Sequence, residues 1–218
     1  MNITLPAKNL KTKDFLIRDG ILYLRHGQSF QGVIYSLTYF SKGRHFCHYC
    51  KKSFPRNNIT MDHIYPRSTG GPTIPQNIIP VCKECNAEKS DMTLAQYKHY
   101  LSLKSNEKSA AEYLCKIRAL KEGFKTIGLF EIPIDWITPI KVDKIHTNID
   151  FANISESKYQ KVKSYYETHH QFQSPMILDR NLHSLDGFYI LFVAKSLGIS
   201  TIPAIVLDNV EIQASKKA

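Results

Sequence analysis

The sequence predicts an α+β chain in two parts that meet near residue 135. Two Cys-x2-Cys pairs bracket a turn-rich stretch, residues 47–90, in which only short strands and helices fit. Runs at helical period follow over residues 93–122, and beyond Pro139 strand and helix patterns alternate. Of the 218 residues, 43% are hydrophobic, enough for a buried core and too many for a disordered chain. No window reaches 18 uninterrupted apolar residues, and the polar stretch Met1–Lys13 has no apolar run of a secretory signal. Five cysteines in such a chain are expected to serve metal binding or reactivity rather than a disulfide framework.

The elements follow in order. Phe15-Leu16-Ile17 and Ile21-Leu22-Tyr23-Leu24 flank Asp19-Gly20, a pair suited to a type I′ hairpin turn. Val33–Phe40 is β-branched and aromatic, and reads as either a strand or a short buried helix. From Cys47 to Ser90 five prolines and Gly70-Gly71 punctuate the chain; the glycine pair reads as a flexible loop. Thr93 with Gln96 forms a capping box, followed by Leu94, Tyr97 and Leu101 at helical spacing. A second helix is predicted from Glu107 to Glu122, with Gly123 as its stop and Cys115 as a small, at least half-buried thiol. Residues 126–139 read as a connector. Then come a strand at Ile140–Ile145, a helix at Ser155–His169, a strand at Met176–Leu178, an apolar helix at Gly187–Leu197 and a strand at Ile202–Leu207. The predicted division is an N-terminal hairpin region, 1–45; a cysteine-framed unit, 46–104; a helix and connector, 105–135; and a C-terminal α/β unit, 136–218.

The net charge of +10 is uneven. Residues 1–100 hold 14 basic and 6 acidic side chains, net +8, whereas residues 136–218 hold 9 and 8, net +1. Arg44, Lys51, Lys52, Arg56 and Arg67, interleaved with Phe46, Tyr49 and Phe54, crowd around the cysteines. Such a half suits a polyanion, because neutralised phosphates release counterions. The near-neutral C-terminal half gives no electrostatic reason to expect it to grip DNA by itself.

Cys47-x2-Cys50 and Cys82-x2-Cys85 are separated by 31 residues. Each pair presents two sulfurs from a tight knuckle, and two knuckles complete a tetrahedral structural zinc site. His45 and His48, beside the first pair, are alternative ligands. Between the pairs lie Asp62 and His63. On a strand their side chains point to opposite faces. A neutral imidazole is suited to take a proton from water. A carboxylate and an amide oxygen are hard ligands of the kind Mg²⁺ accepts.

The run from Cys47 to Ser90, C-x2-C, DHI-x-PRS-x-GG, Asn77, then C-x2-CN-x2-K, resembles the HNH endonucleases, the ββα-metal or His-Me finger type with a zinc-stapled core. The resemblance implies His63 as the general base toward a phosphodiester, and Asp62 and Asn86 as holders of one divalent ion, Mg²⁺ or Mn²⁺. It implies Asn77 as the brace of the first strand and of His63. Arg67, Lys89 and Arg44 would contact DNA phosphates. Residues 136–210 resemble a degenerate ParB/sulfiredoxin-like domain, in which Asp186-Gly187 at a helix start would meet nucleotide; Phe188-Tyr189-Ile190 follow here where the family has a polar segment.

The expected function is therefore a metal-dependent DNA endonuclease with no membrane partner, cytoplasmic and of bacterial, phage or mobile-element origin. The alternatives are a non-catalytic zinc-dependent DNA-binding protein and a nucleotide-binding ParB-like regulator. The oligomeric state is left open by the sequence.

Overall fold

A computed structural model describes residues 1–3, 5–6, 9–25, 28–42, 46–127 and 129–213. Arg44 and His45 lie outside these residues.

The chain opens with strand β1 (Leu10–Lys11) and the hairpin of β2 (Phe15–Arg18) and β3 (Ile21–Leu24). Asp19 and Gly20 both have positive φ, 51° and 74°, the backbone that a two-residue I′ turn demands. Phe15, Ile17, Leu22 and Leu24 are buried, one face of the ribbon. Helix α1 (Phe30–Lys42) resolves the ambiguity at Val33: Ile34, Leu37 and Thr38 are buried with it at helical spacing against that face.

The cysteine-framed unit consists of β4 (Ile59–His63), β5 (Ile78–Cys82) and the short helix α2 (Lys83–Lys89). β4 and β5 are antiparallel, with Ile59 opposite Cys82 and His63 opposite Ile78. Helix α3 (Leu94–Leu103) starts at the predicted capping box: Thr93 Oγ1 accepts from Gln96 N, and Gln96 Oε1 accepts from Thr93 N at 2.8 Å. Helix α4 (Glu107–Ile127) passes through Gly123, where the expected stop fails. Burial of Ile117 and Lys121 holds this helix on its neighbours, and that tertiary gain exceeds the roughly 1 kcal/mol that an interior glycine costs. Cys115 lies on its exposed side rather than half-buried.

The last part comprises β6 (Thr138–Lys141), α5 (Glu156–His169), β7 (Met176–Asp179), β8 (Ser184–Asp186), α6 (Phe188–Ser196), β9 (Thr201–Leu207) and β10 (Val210–Ile212). Strands β6-β9-β7-β8 form a mixed sheet in that order, with β7 and β9 parallel. The predicted strand at Ile140–Ile145 ends at Lys141, where the chain turns into a 3₁₀ segment. The sequence pattern showed neither β8 nor β10. β10 leaves the C-terminal half and pairs in parallel with β3, so the N-terminal hairpin and the chain's last strand share one sheet and one core.

Asp179 is the tie between these layers. Fully buried at the end of β7, its Oδ1 accepts from the backbone N–H of Asn181 and His183, each at 2.8 Å, and its Oδ2 from Ile212 N of β10 at 3.0 Å. Asp179→Ala removes the acceptor of three partly buried backbone donors. The expected loss is about 3 kcal/mol or more in urea unfolding, with faster amide exchange at Ile212 than at Ile205.

Candidate active site

The site is built on the two cysteine knuckles. In the first, Cys47 Sγ accepts from Tyr49 N at 3.3 Å and from Cys50 N at 3.5 Å, and Lys51 takes φ +61° to turn the chain back. In the second, Cys82 is the N-cap of α2 and its Sγ accepts from Cys85 N at 3.4 Å. All four sulfurs lie within 4.8 Å of one another. A tetrahedral zinc with bonds of about 2.3 Å spaces its sulfurs about 3.8 Å apart, so the cluster could hold zinc. Burial pushes the Cys85 thiol up to about 11 and Cys82 higher still. Burial also opposes ionisation of Cys47, but the backbone donors around it prevail and bring it down to about 7. The buried Cys82 and Cys85 thiols ionise readily only beside a cation.

β4 carries Asp62 and His63 to opposite faces. His63 Nε2 lies 3.0 Å from Thr73 Oγ1. Burial, and then the charges of Arg67 and Lys89, hold the imidazole down to about 4, so it is neutral at pH 7. Asp62 points inward and is 5% exposed. Its carboxylate receives the Tyr49 hydroxyl and the Lys89 ammonium, the latter at 3.0 Å from Oδ2 and 3.1 Å from Oδ1. Burial pushes the Asp62 carboxyl up and the Lys89 ammonium down, and each is held back by its partner's charge.

Lys89 therefore sits elsewhere than expected. Its side chain is fully buried, with its ammonium on Asp62 and on the His63 carbonyl at 2.7 Å, so it does not face a phosphate. Asn86, three residues earlier on α2, shares that helix face, is half-buried, and makes no side-chain hydrogen bond among the described residues. Asp62 and Asn86 offer a carboxylate and an amide oxygen, donor types that a hard divalent ion accepts. Lys89 competes for the same carboxylate.

Asn77 is 1% exposed and clamps the chain that follows His63. Its Oδ1 accepts from Tyr65 N at 2.8 Å, and its Nδ2 donates to Tyr65 O at 3.0 Å and Pro72 O at 2.8 Å. Its carbonyl accepts from Ile64 N at 2.9 Å. Gly70 and Gly71, read as a flexible loop, are buried in this turn instead. A Cβ on Gly71 would stand 1.8 Å from the Tyr65 oxygen, and one on Gly70 would stand 2.6 Å from Phe130. Glu131 fixes the turn from outside: its N–H reaches Thr69 O, and its carboxylate accepts from Thr69, Gln96 and the buried Lys121.

Arg67 is exposed on the rim of a cleft of about 710 Å³ that it shares with Thr73, α5 and the start of α6. Asp186 and Gly187 line the same cleft. Gly187 has φ +82°, and its N–H is taken by the adjacent Asp186 carboxylate at 2.8 Å. Sequence reasoning missed Tyr49 and Thr73. Tyr49 had a signal, an aromatic whose position a Cys-x2-Cys knuckle dictates; Thr73, ten residues beyond His63, had none.

Residues 47–102 match the HNH endonuclease family model. The match runs from the first cysteine into α3, so this HNH region holds both knuckles, the ββ pair, α2 and Asn77. No curated protein matches the chain. Among solved structures, the C2221 form of a Pnob8-like ParB N-domain is similar at 22% identity and TM-score 0.28, covering 33% of this chain and 30% of that one. A second structure of a pNOB8-like ParB N-domain is similar at 21% identity and TM-score 0.27, covering 33% and 28%. The matched part thus spans less than a third of either neighbour.

Elemental analysis of the purified protein is expected to give one zinc per chain. Cys82→Ser should lose it and lower Tm by about 10 °C or more, since metal binding contributes directly to folding in such units. Gly71→Ala, which drives a methyl into backbone, is expected to cost about 2–4 kcal/mol in chemical denaturation with zinc retained.

Proposed function

We propose that this chain hydrolyses DNA phosphodiester bonds at the HNH region, with His63 as the proton acceptor. The observation that carries the reading is the His63 environment. A neutral imidazole at the end of β4 has Nε2 held by Thr73, while Nδ1 makes no hydrogen bond among the described residues. With Nε2–H donated to Thr73, Nδ1 is the bare nitrogen that takes a proton from the attacking water. An arriving phosphate would raise the affinity of that nitrogen for its proton, offsetting the Arg67 charge nearby. Asn77 would position His63 by fixing the chain from Ile64 to Pro72. Arg67 would meet the phosphate backbone. Cys47, Cys50, Cys82 and Cys85 would hold a structural zinc that takes no part in the chemistry. Asp62 and Asn86 would hold Mg²⁺ or Mn²⁺, which when bound neutralises charge on the phosphate and the leaving oxygen.

One observation favours a second reading, DNA binding without cleavage. The Asp62 carboxylate is already neutralised by Lys89 in a buried ion pair.

Plasmid nicking with Mg²⁺ or Mn²⁺ separates the two. Wild-type protein is expected to relax supercoiled DNA, and His63→Ala to be about 10²–10⁴-fold slower with zinc content and folding unchanged. Equal nicking by both proteins would refute His63 as the base. A wild type that shifts DNA in a gel yet never cuts it would establish the binding reading.

A further inference from the structure

With a net charge of only +1, the C-terminal half was not expected to grip DNA by itself. The fold nevertheless puts Lys158 and Lys161, three residues apart on α5, into the lining of the cleft that Arg67 also lines. All three are exposed, and none is in an ion pair among the described residues. Against these three cations the lining carries one carboxylate, Asp186, which accepts from the N–H of its own turn.

Aromatic surface completes the wall. Tyr165, one turn beyond Lys161, lines the cleft with Phe188 and Tyr189, whose rings are 4.4 Å apart and tilted by 30°. Backbone-tracking cations beside ring faces are the chemistry that receives unpaired nucleotides, because every base has a face to stack. The cleft, about 710 Å³ in volume, falls in the size range of sites that take small or flexible ligands. Thr73 belongs both to this lining and to the hydrogen bond with His63, so the cleft abuts the HNH region.

We propose that this cleft binds a short single-stranded segment of nucleic acid beside the cutting site, with phosphates on Lys158, Lys161 and Arg67 and a base against Tyr165 and Phe188. The proposal rests on the nuclease reading only in taking that segment to be part of the substrate. A free nucleotide offers the same chemistry from another source, so the test includes both.

Zinc-loaded His63→Ala protein, which keeps the cleft, is titrated against a dye-labelled oligonucleotide by fluorescence anisotropy over a range of salt. The double variant Lys158→Ala/Lys161→Ala, made in that background, is expected to bind single strands about 10–100-fold more weakly. Its salt slope should be smaller by about 1.4, the release expected for two lost single-strand phosphate contacts. Lys163→Ala, outside the cleft and paired with Glu167, should bind as the parent does. Unchanged single-strand binding in the double variant would overturn the proposal. An equal loss on blunt duplex, or full displacement of the oligonucleotide by stoichiometric nucleoside triphosphate, would overturn it too. If wild-type protein fails to nick plasmid while the double variant still loses single strands, the nuclease reading fails and the cleft stands. If nicking requires His63 and the lysines do not matter, the reverse holds.

Discussion

Four sulfurs held within 4.8 Å set the geometry of everything around them. The stretch that carries them has a small apolar cluster: Ile59, Ile79 and Val81 are buried with Cys47 and Cys82, and Tyr49, Phe54 and Ile64 pack against them half-buried. Such a core cannot by itself hold a two-stranded ribbon, which is marginal in water. The His48 N–H donates to Pro80 O of β5, and a zinc shared by the four sulfurs would further pin the ribbon at the end where Ile59 faces Cys82. With that register set, Asp62 turns in and His63 turns out; a slip of one residue would exchange their faces.

Inside this frame the fold depends on two buried ion pairs. Lys89–Asp62 ties α2 to β4, and Lys121–Glu131 ties α4 to the chain that caps the Arg67–Thr73 turn. Neither pair is a strong source of net stability, because desolvation of both partners offsets their attraction. Their effect is on arrangement: each buried charge accepts few partners, so the elements that carry them have few alternative packings. Tyr49 makes the same point from the knuckle, spending its hydroxyl on Asp62 and its ring on Tyr97 of α3.

The two halves are joined by backbone as well as by side chains. Because β10 pairs with β3, and Asp179 binds the β10 backbone, the C-terminal sheet is fastened to the N-terminal hairpin. Ile177, Ile205 and Leu207 enter the same core as Ile74 and Ile78. That attachment holds α5 and the start of α6 opposite the Arg67–Thr73 turn, and the cleft between them is a consequence of it.

Features governed by neighbours in the chain were legible without coordinates. The knuckles follow from Cys-x2-Cys spacing, the start of α3 from Thr93 and Gln96, the hairpin from Asp19-Gly20, and the opposed faces of Asp62 and His63 from the two-residue period of a strand. Features governed by distant contacts were not legible. Val33–Phe40 became a helix because one of its faces is buried in the core of the four-stranded sheet β1-β2-β3-β10, and α4 outran Gly123 because packing outweighed propensity. Lys89 left the solvent because a buried carboxylate 27 residues away needed a counter-charge. A four-thiol unit around Asp62-His63 in a basic first half was thus readable from residue spacing and composition. The contact of Thr73 with His63, the pairing of Asp62 with Lys89, and the presence of two lysines of the near-neutral half in the cleft that Thr73 lines came from long-range packing alone. The reason is physical: spacing and turn chemistry act over a few residues, whereas charge pairing and burial are settled between segments that meet only when the chain closes on itself.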